Sequence, residues 1–426
     1  MRFPADFWWG ASTAAYQVEG DNRGSALWDW ERRKGWERSG AAANSWRLWR
    51  QDVDCLKRLN LNAYRFSVEW SRVQPAPDAW NEDALERYAD MAGALRREGI
   101  RPIVCLHHFS EPAWLLREVP RGWRSEEVVN RFVRFAARVA GALKTHVQDW
   151  LTFNEPMVYL LWGYGAGHFP PGHKGLLTLE RDFLGRGGLL DRVAWAHGQA
   201  AAVIREERPD ARVGLAQNVA YVEPARSDPR DLEAVRDWDS FMHRRLLDLA
   251  VSAKALDFVG VNYYTRIYAR KLDWPGVPLR VLPGYAELEG ALSPFLFRLL
   301  GGRRGSRERT DMGWEVVPEG LERVVQRLWE AYHLPIVVTE NGLADSTGTR
   351  REPFLRQHLA ALGRAMKAGA RVWGYLHWTL MDNYEWGSFK PRFGLYRVDR
   401  KNGYARIPAP GSDFYARVAA TGEVPE

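Results

Sequence analysis

Two glutamates stand where short apolar, β-branched runs give out. Glu155 follows Thr152-Phe153-Asn154 and precedes Pro156, and Glu340 follows Val337-Val338-Thr339 and precedes Asn341-Gly342. A pair of carboxyl groups brought to either side of a bond suits cleavage of a glycosidic linkage. One, protonated, helps the leaving oxygen depart, and the other, ionised, meets the oxocarbenium-like carbon; a retaining mechanism needs them about 5 to 5.5 Å apart. A structural ion pair with arginine is the competing fate of each carboxylate taken alone. Arg65, at the end of another such run, offers the opposite charge that lowers a carboxyl pKa and holds a nucleophile ionised. A proton donor needs the reverse shift, so Glu155 is expected in a drier setting and close to the negative Glu340.

Both glutamates must be positioned by the same kind of element. Short β-branched or apolar runs alternate with long amphipathic stretches, strand then helix throughout, the pattern of parallel βαβ units. The candidate strands are Phe7 to Ala11, Ala63 to Val68, Pro102 to Leu106, Trp150 to Phe153, Val213 to Gln217, Phe258 to Val261, Ile336 to Thr339 and Val372 to His377. Helical periodicity is clearest over Glu82 to Glu98, Ser125 to Leu143, Leu190 to Glu207 and Glu319 to Ala331. Eight such units predict an α/β fold, a single (β/α)₈ barrel over residues 1–426 with long βα loops, and place the chemistry at the C-terminal ends of the strands. Polar and aromatic residues gather there: Ser67-Val68-Glu69-Trp70, His107-His108-Phe109, Asn154-Glu155, Asn262-Tyr263-Tyr264, Glu340-Asn341 and Trp378. Lys271 to Arg309, rich in Pro, Gly and Arg, reads as a long loop after strand six.

Bulk properties narrow the partners. The 426 residues carry 46% hydrophobic and 27% charged side chains, ordinary for a large buried core, but 21 Trp, whose flat faces suit sugar rings. The net charge of +7 is spread mostly as Arg, with no basic run interleaved with aromatics, so no nucleic-acid partner is expected. The only cysteines, Cys55 and Cys105, lie in apolar-patterned segments and read as buried free thiols of a reducing compartment. No secretory lead and no apolar span of about 20 residues is seen, so a cytoplasmic location is expected. Adjacent His107 and His108 point to opposite faces of a strand and cannot chelate one metal together. No phosphate loop or dinucleotide fingerprint appears, so neither metal nor cofactor is expected.

With these residues in view, the chain resembles glycoside hydrolase family 1, the β-glucosidases and β-galactosidases, over nearly its whole length. The resemblance is carried by Phe7-Trp8-Trp9-Gly10-Ala11 with Gln17-Val18-Glu19-Gly20, by Tyr64-Arg65-Phe66-Ser67-Val68-Glu69-Trp70-Ser71-Arg72, by Thr152-Phe153-Asn154-Glu155-Pro156, and by Val338-Thr339-Glu340-Asn341-Gly342. It implies a retaining exo-β-glycosidase acting on a small-molecule β-glycoside, with Glu155 as acid/base and Glu340 as nucleophile. It also implies that Gln17, His108, Asn154, Tyr264, Trp378, Glu385 and Trp386 bind the terminal sugar, with Arg65 and Tyr264 supporting the nucleophile. Trp8, Trp9, Trp70 and His107 read as packing residues.

Two segments depart from the pattern. The stretch from Glu385 to Leu395 is one residue shorter than usual in the family. Relatives acting on 6-phosphorylated sugars carry Ser at the position of Glu385, whose charge would repel phosphate, so neutral sugars are favoured. Ser388 and Lys390 keep a 6-phospho-β-glycosidase as the alternative, beside a glycan-binding barrel without turnover. The apolar run Ala291 to Leu300, followed by Arg303, Arg304, Arg307 and Arg309, suggests contact of 291–309 with a membrane surface, an apolar aglycone wall, or simple packing.

Overall fold

A computed structural model describes residues 1–175, 179–271, 281–282 and 307–425. Eight parallel strands close into a barrel: β1 (Trp8–Ser12), β2 (Ala63–Ser67), β3 (Arg101–His107), β4 (Asp149–Asn154), β5 (Arg212–Asn218), β6 (Phe258–Asn262), β7 (Ile336–Asn341) and β8 (Val372–Trp378). Each pairs in parallel with its neighbours in chain order, and β8 closes on β1 through Trp8↔Gly374 to Ser12↔Trp378. Every expected strand is found, its ends displaced by at most two residues. These runs are recognisable because barrel strands are buried on both faces, which leaves them apolar almost throughout.

The barrel interior is filled by Trp8, Ala63, Ile103, Cys105, Leu151, Ala216, Phe258, Val337 and Leu376. A larger apolar layer lies between strands and helices, the helices being Glu82–Arg97, Glu126–Leu143, Leu189–Glu207 and Pro318–Tyr332 among others. Ser125 is not the first helical residue but the cap, accepting a hydrogen bond from the Glu127 amide. Cys55 and Cys105 are buried and free. Among the described residues no helix is long and apolar enough to cross a membrane. Most of the stretch Lys271 to Arg309, including 291–306, lies outside the described residues.

The barrel's regular register breaks beside both glutamates. Between β4 and β5 it shifts between Leu151 and Asn154, and around β7 it shifts between Val338 and Glu340 on one side and between Val338 and Asn341 on the other. Such irregularities re-aim side chains at barrel rims. Here they immediately precede, or contain, Glu155 and Glu340.

Candidate active site

Glu155 and Glu340 line one cleft of about 750 Å³ at the C-terminal mouth of the barrel, together with Gln17, His108, Asn154, Tyr264, Trp378, Glu385 and Trp386. Every expected sugar-contacting side chain is therefore brought to one place. Arg65 lies beneath, in the middle of β2 rather than at its end, wholly buried and pointing into the barrel. Its Nη1 pairs with Glu340 Oε1, and its Nη2 donates to Asn154 Oδ1 at 2.6 Å. Tyr264 Oη donates to Glu340 Oε2 at 2.7 Å. The Gly of the Glu-Asn-Gly turn has a steric reason: a Cβ at Gly342 would sit 2.0 Å from the Trp378 carbonyl oxygen.

The two carboxyls differ in partners rather than in dryness. Glu155 is 7% exposed and Glu340 3%, so the acid is dry, as expected, but no drier than its partner. Glu340 meets a cation and a phenol, whereas Glu155 Oε1 accepts from two amides, Asn262 Nδ2 at 2.8 Å and Asn218 Nδ2 at 3.0 Å. Burial pushes the Glu155 carboxyl up to about 7, and the charge of Glu340 adds to the rise while the two amides oppose it. The expectation that Arg65 lowers the Glu340 pKa holds for Arg65 itself but not for the sum. Burial raises Glu340 above the ordinary carboxylate range, and Arg65 and Tyr264 pull it part of the way back.

At the other end of the cleft, Gln17 Nε2 donates to the Tyr384 carbonyl at 3.1 Å and to Glu385 Oε2 at 3.3 Å. The buried Gln17 Oε1 has no partner among the described residues. A hydroxyl donor suits it, because a buried acceptor left unpaired is costly. Burial first, and then the charge of Glu340, push Glu385 up to about 8. His108 stacks on Trp378, with centroids 5.9 Å apart and rings 15° from parallel, and on Trp386 at 6.2 Å and 22°. Burial and Arg65 keep its imidazole well below the usual pKa, hence neutral. His107 turns away, contacting Glu111 at 3.2 Å and packing among Trp123, Phe153 and Tyr159. Trp70 stacks on Phe135, Trp9 packs on Phe3 and Phe7, and Trp8 lies in the barrel interior.

Three residues lining the cleft hold a left-handed backbone without being glycine: Phe109 (φ 62°), Glu155 (φ 45°) and Trp386 (φ 41°). Each costs on the order of 1–3 kcal/mol, a strain the surrounding packing must overcome. Asn218 and Asn262 were not singled out from sequence as site residues, nor were the apolar liners Val158, Trp162, Phe169, Met312, Trp314 and Phe393.

This constellation of two buried carboxyls, a cation on one of them and aromatic walls suits cleavage of sugar bonds, and the profile of glycosyl hydrolase family 1 matches residues 1–254 and 245–424. The chain belongs to glycosyl hydrolase family 1. It is 28% identical to the β-glucosidase A of Thermotoga maritima, with 98% of this chain and 97% of that one covered. It is 30% identical to the β-galactosidase of Pyrococcus woesei, with 93% of each covered. In structure it superposes on the β-glycosidase from Pyrococcus horikoshii with a TM-score of 0.87 and 31% identity, covering 100% of this chain and 96% of that one. The Thermotoga maritima β-glucosidase in complex with glucoimidazole gives a TM-score of 0.85 at 25% identity, with both chains covered fully. This family 1 chain is thus a glycoside hydrolase acting on O-glycosyl bonds, with the closed barrel of its relatives.

Proposed function

We propose that this chain is a retaining exo-β-glycosidase that removes a neutral terminal glucose- or galactose-type sugar through a covalent glycosyl-enzyme intermediate. The observation carrying the reading is the division of partners between two buried carboxyls in one cleft. Glu340, held by Arg65 and oriented by Tyr264, attacks the anomeric carbon. Glu155, protonated near neutral pH, donates to the departing oxygen and then takes a proton from the incoming water or, in transglycosylation, from another alcohol. Retention is supported by the convergence of both carboxyls on one cleft, with Arg65 reaching from Glu340 to Asn154, the neighbour of Glu155.

Neutral sugars are favoured because Glu385 and Gln17 occupy the polar end of the cleft, while Ser388 and Lys390 are absent from its lining. Ser388 Oγ instead accepts from the Lys390 amide at 3.1 Å. The apolar liners fit an alkyl or aryl aglycone. Contact of 291–309 with a lipid surface stays a proposal from sequence, since 291–306 lie outside the described residues. Release of p-nitrophenol from plain and 6-phosphorylated β-glycosides is the test, with wild type beside Glu340→Gln and Glu155→Gln. Turnover of plain glycosides, abolished in Glu340→Gln, is expected. Turnover of the 6-phosphorylated substrates alone would transfer the assignment to a 6-phospho-β-glycosidase, and none at all to a binding protein.

A further inference from the structure

The two amide donors to Glu155 converge on one oxygen. Asn218, the last residue of β5, and Asn262, the last of β6, both reach Oε1, at 3.0 and 2.8 Å. Oε2 has no hydrogen-bond partner among the described residues, yet it is not a sealed, unsatisfied atom: Glu155 lines the cleft, and Oε2 opens on it. The orientation of the Asn262 amide is settled by its neighbours. Its Oδ1 accepts from Thr339 Oγ1 at 2.7 Å, so its nitrogen is the end that faces Glu155 and also Asn154 Oδ1, at 2.9 Å. Both hydrogens of that nitrogen are thereby used.

We infer that Asn218 is a positioning residue for proton transfer: with Asn262 it saturates Glu155 Oε1 with donors and so confines the transferable proton to Oε2, the oxygen facing the substrate. A carboxylic acid has one donor and otherwise accepts. An O–H at Oε1 would have to point past two incoming N–H groups, whereas the proton on Oε2 leaves Oε1 as the carbonyl-like acceptor both amides need. Without Asn218, Asn262 alone holds Oε1, and the proton divides between the two oxygens. The fraction of the acid protonated on Oε1 then points away from the leaving group. The same loss removes a donor that favours the ionised carboxyl, so the acid stays protonated to higher pH. Asn218 is half-buried at the rim and lines the cleft from β5. A role acting through Glu155 is thus separable from a role in packing.

The inference rests on Glu155 being the proton donor, and the test keeps the two apart. Asn218→Leu, Asn218→Ala and Asn218→His are compared with wild type and Glu155→Gln, on an alkyl β-glucoside and on 2,4-dinitrophenyl β-glucoside, whose leaving group needs no acid. In Asn218→Leu and Asn218→Ala the alkaline limb of kcat/KM should move up by about half to one pH unit. kcat/KM should fall about three- to tenfold for the alkyl substrate and little for the dinitrophenyl one. Asn218→His, which keeps an N–H donor, should recover part of both effects. An unmoved alkaline limb with equal losses on both substrates overturns the inference while leaving Glu155 as the acid, provided Glu155→Gln loses the alkyl substrate selectively. If Glu155→Gln turns over both at wild-type rates, the assignment of Glu155 falls and the inference with it.

Discussion

Glycosylation of Glu340 should release the proton of Glu155. In the free enzyme Glu155 titrates near about 7, raised first by burial and then by the charge of Glu340. Esterifying Glu340 removes that charge while leaving the burial. With the carboxyls at the ~5.5 Å of a retaining pair and an effective dielectric of about 20, their repulsion is about 332/(20 × 5.5), or about 3 kcal/mol, equivalent to about 2 pH units. Glu155 in the glycosyl-enzyme should therefore titrate near about 5, still above an unperturbed glutamate because the site stays dry. That is the shift the second half of a double displacement needs, since the residue must then act as base. The assay is a ¹³C-carboxyl NMR titration of Glu-labelled enzyme, free and after trapping with a 2-deoxy-2-fluoro glycoside, with Glu155→Gln to assign the resonance. A Glu155 titration that stays near about 7 after trapping would refute the coupling and leave burial as the sole cause.

Tyr264→Phe removes a 2.7 Å bond to a buried carboxylate oxygen. Hydrogen bonds to charged groups are worth about 1.5–3 kcal/mol, so kcat/KM should fall about 10- to 150-fold. The acid limb should move to higher pH, because the lost donor favoured ionised Glu340; an unmoved limb would mean that the phenol serves only to pack. For Glu155 the folded pKa is raised, so the folded state keeps a proton that the unfolded chain has lost. Its contribution is fully present below about 4.5 and is lost as pH rises through about 7. Glu155→Gln should accordingly raise Tm relative to wild type at pH 8 but not at pH 4, and an equal shift at both would contradict the assigned burial cost. Met312, 37% exposed on the cleft wall, offers apolar surface to an aglycone. Met312→Ser should raise KM roughly three- to tenfold for octyl glucoside with little change for methyl glucoside; equal effects would remove Met312 from the aglycone wall.

Barrel strands and both glutamates were legible because their signals are local. A run such as Ile336-Val337-Val338-Thr339 ending in Glu-Asn-Gly carries its own meaning, as does an apolar stretch buried on both faces. Partnerships across the barrel are not local. Asn218 and Asn262 reach Glu155 from the next two strands, and no spacing along the chain encodes that convergence. The register breaks that aim Glu155 and Glu340 are equally silent in sequence. For Glu340 the right partner was identified and the wrong net direction expected. Arg65 does oppose protonation, but the desolvation of a carboxyl only 3% exposed outweighs it. That balance depends on how tightly the cleft closes, which only the folded chain determines.

The aromatic residues divide along the same line. Trp8, Trp9 and Trp70, expected as packing, are packed, and His107 turns outward from the strand that presents His108 to the cleft. Trp162 comes from the short π-helical turn Leu161–Gly165 and Phe169, Trp314 and Phe393 from loops, and they reach the cleft through contacts that periodicity does not predict.

The assignment of Glu340 as nucleophile is tested most directly by trapping the enzyme with 2,4-dinitrophenyl 2-deoxy-2-fluoro-β-glucoside and mapping the adduct by mass spectrometry. The account predicts one fluoroglycosyl group per chain, on the peptide containing Glu340, formed together with a burst of dinitrophenol and absent in Glu340→Gln. An adduct on another residue, or full turnover by Glu340→Gln without any adduct, would contradict it.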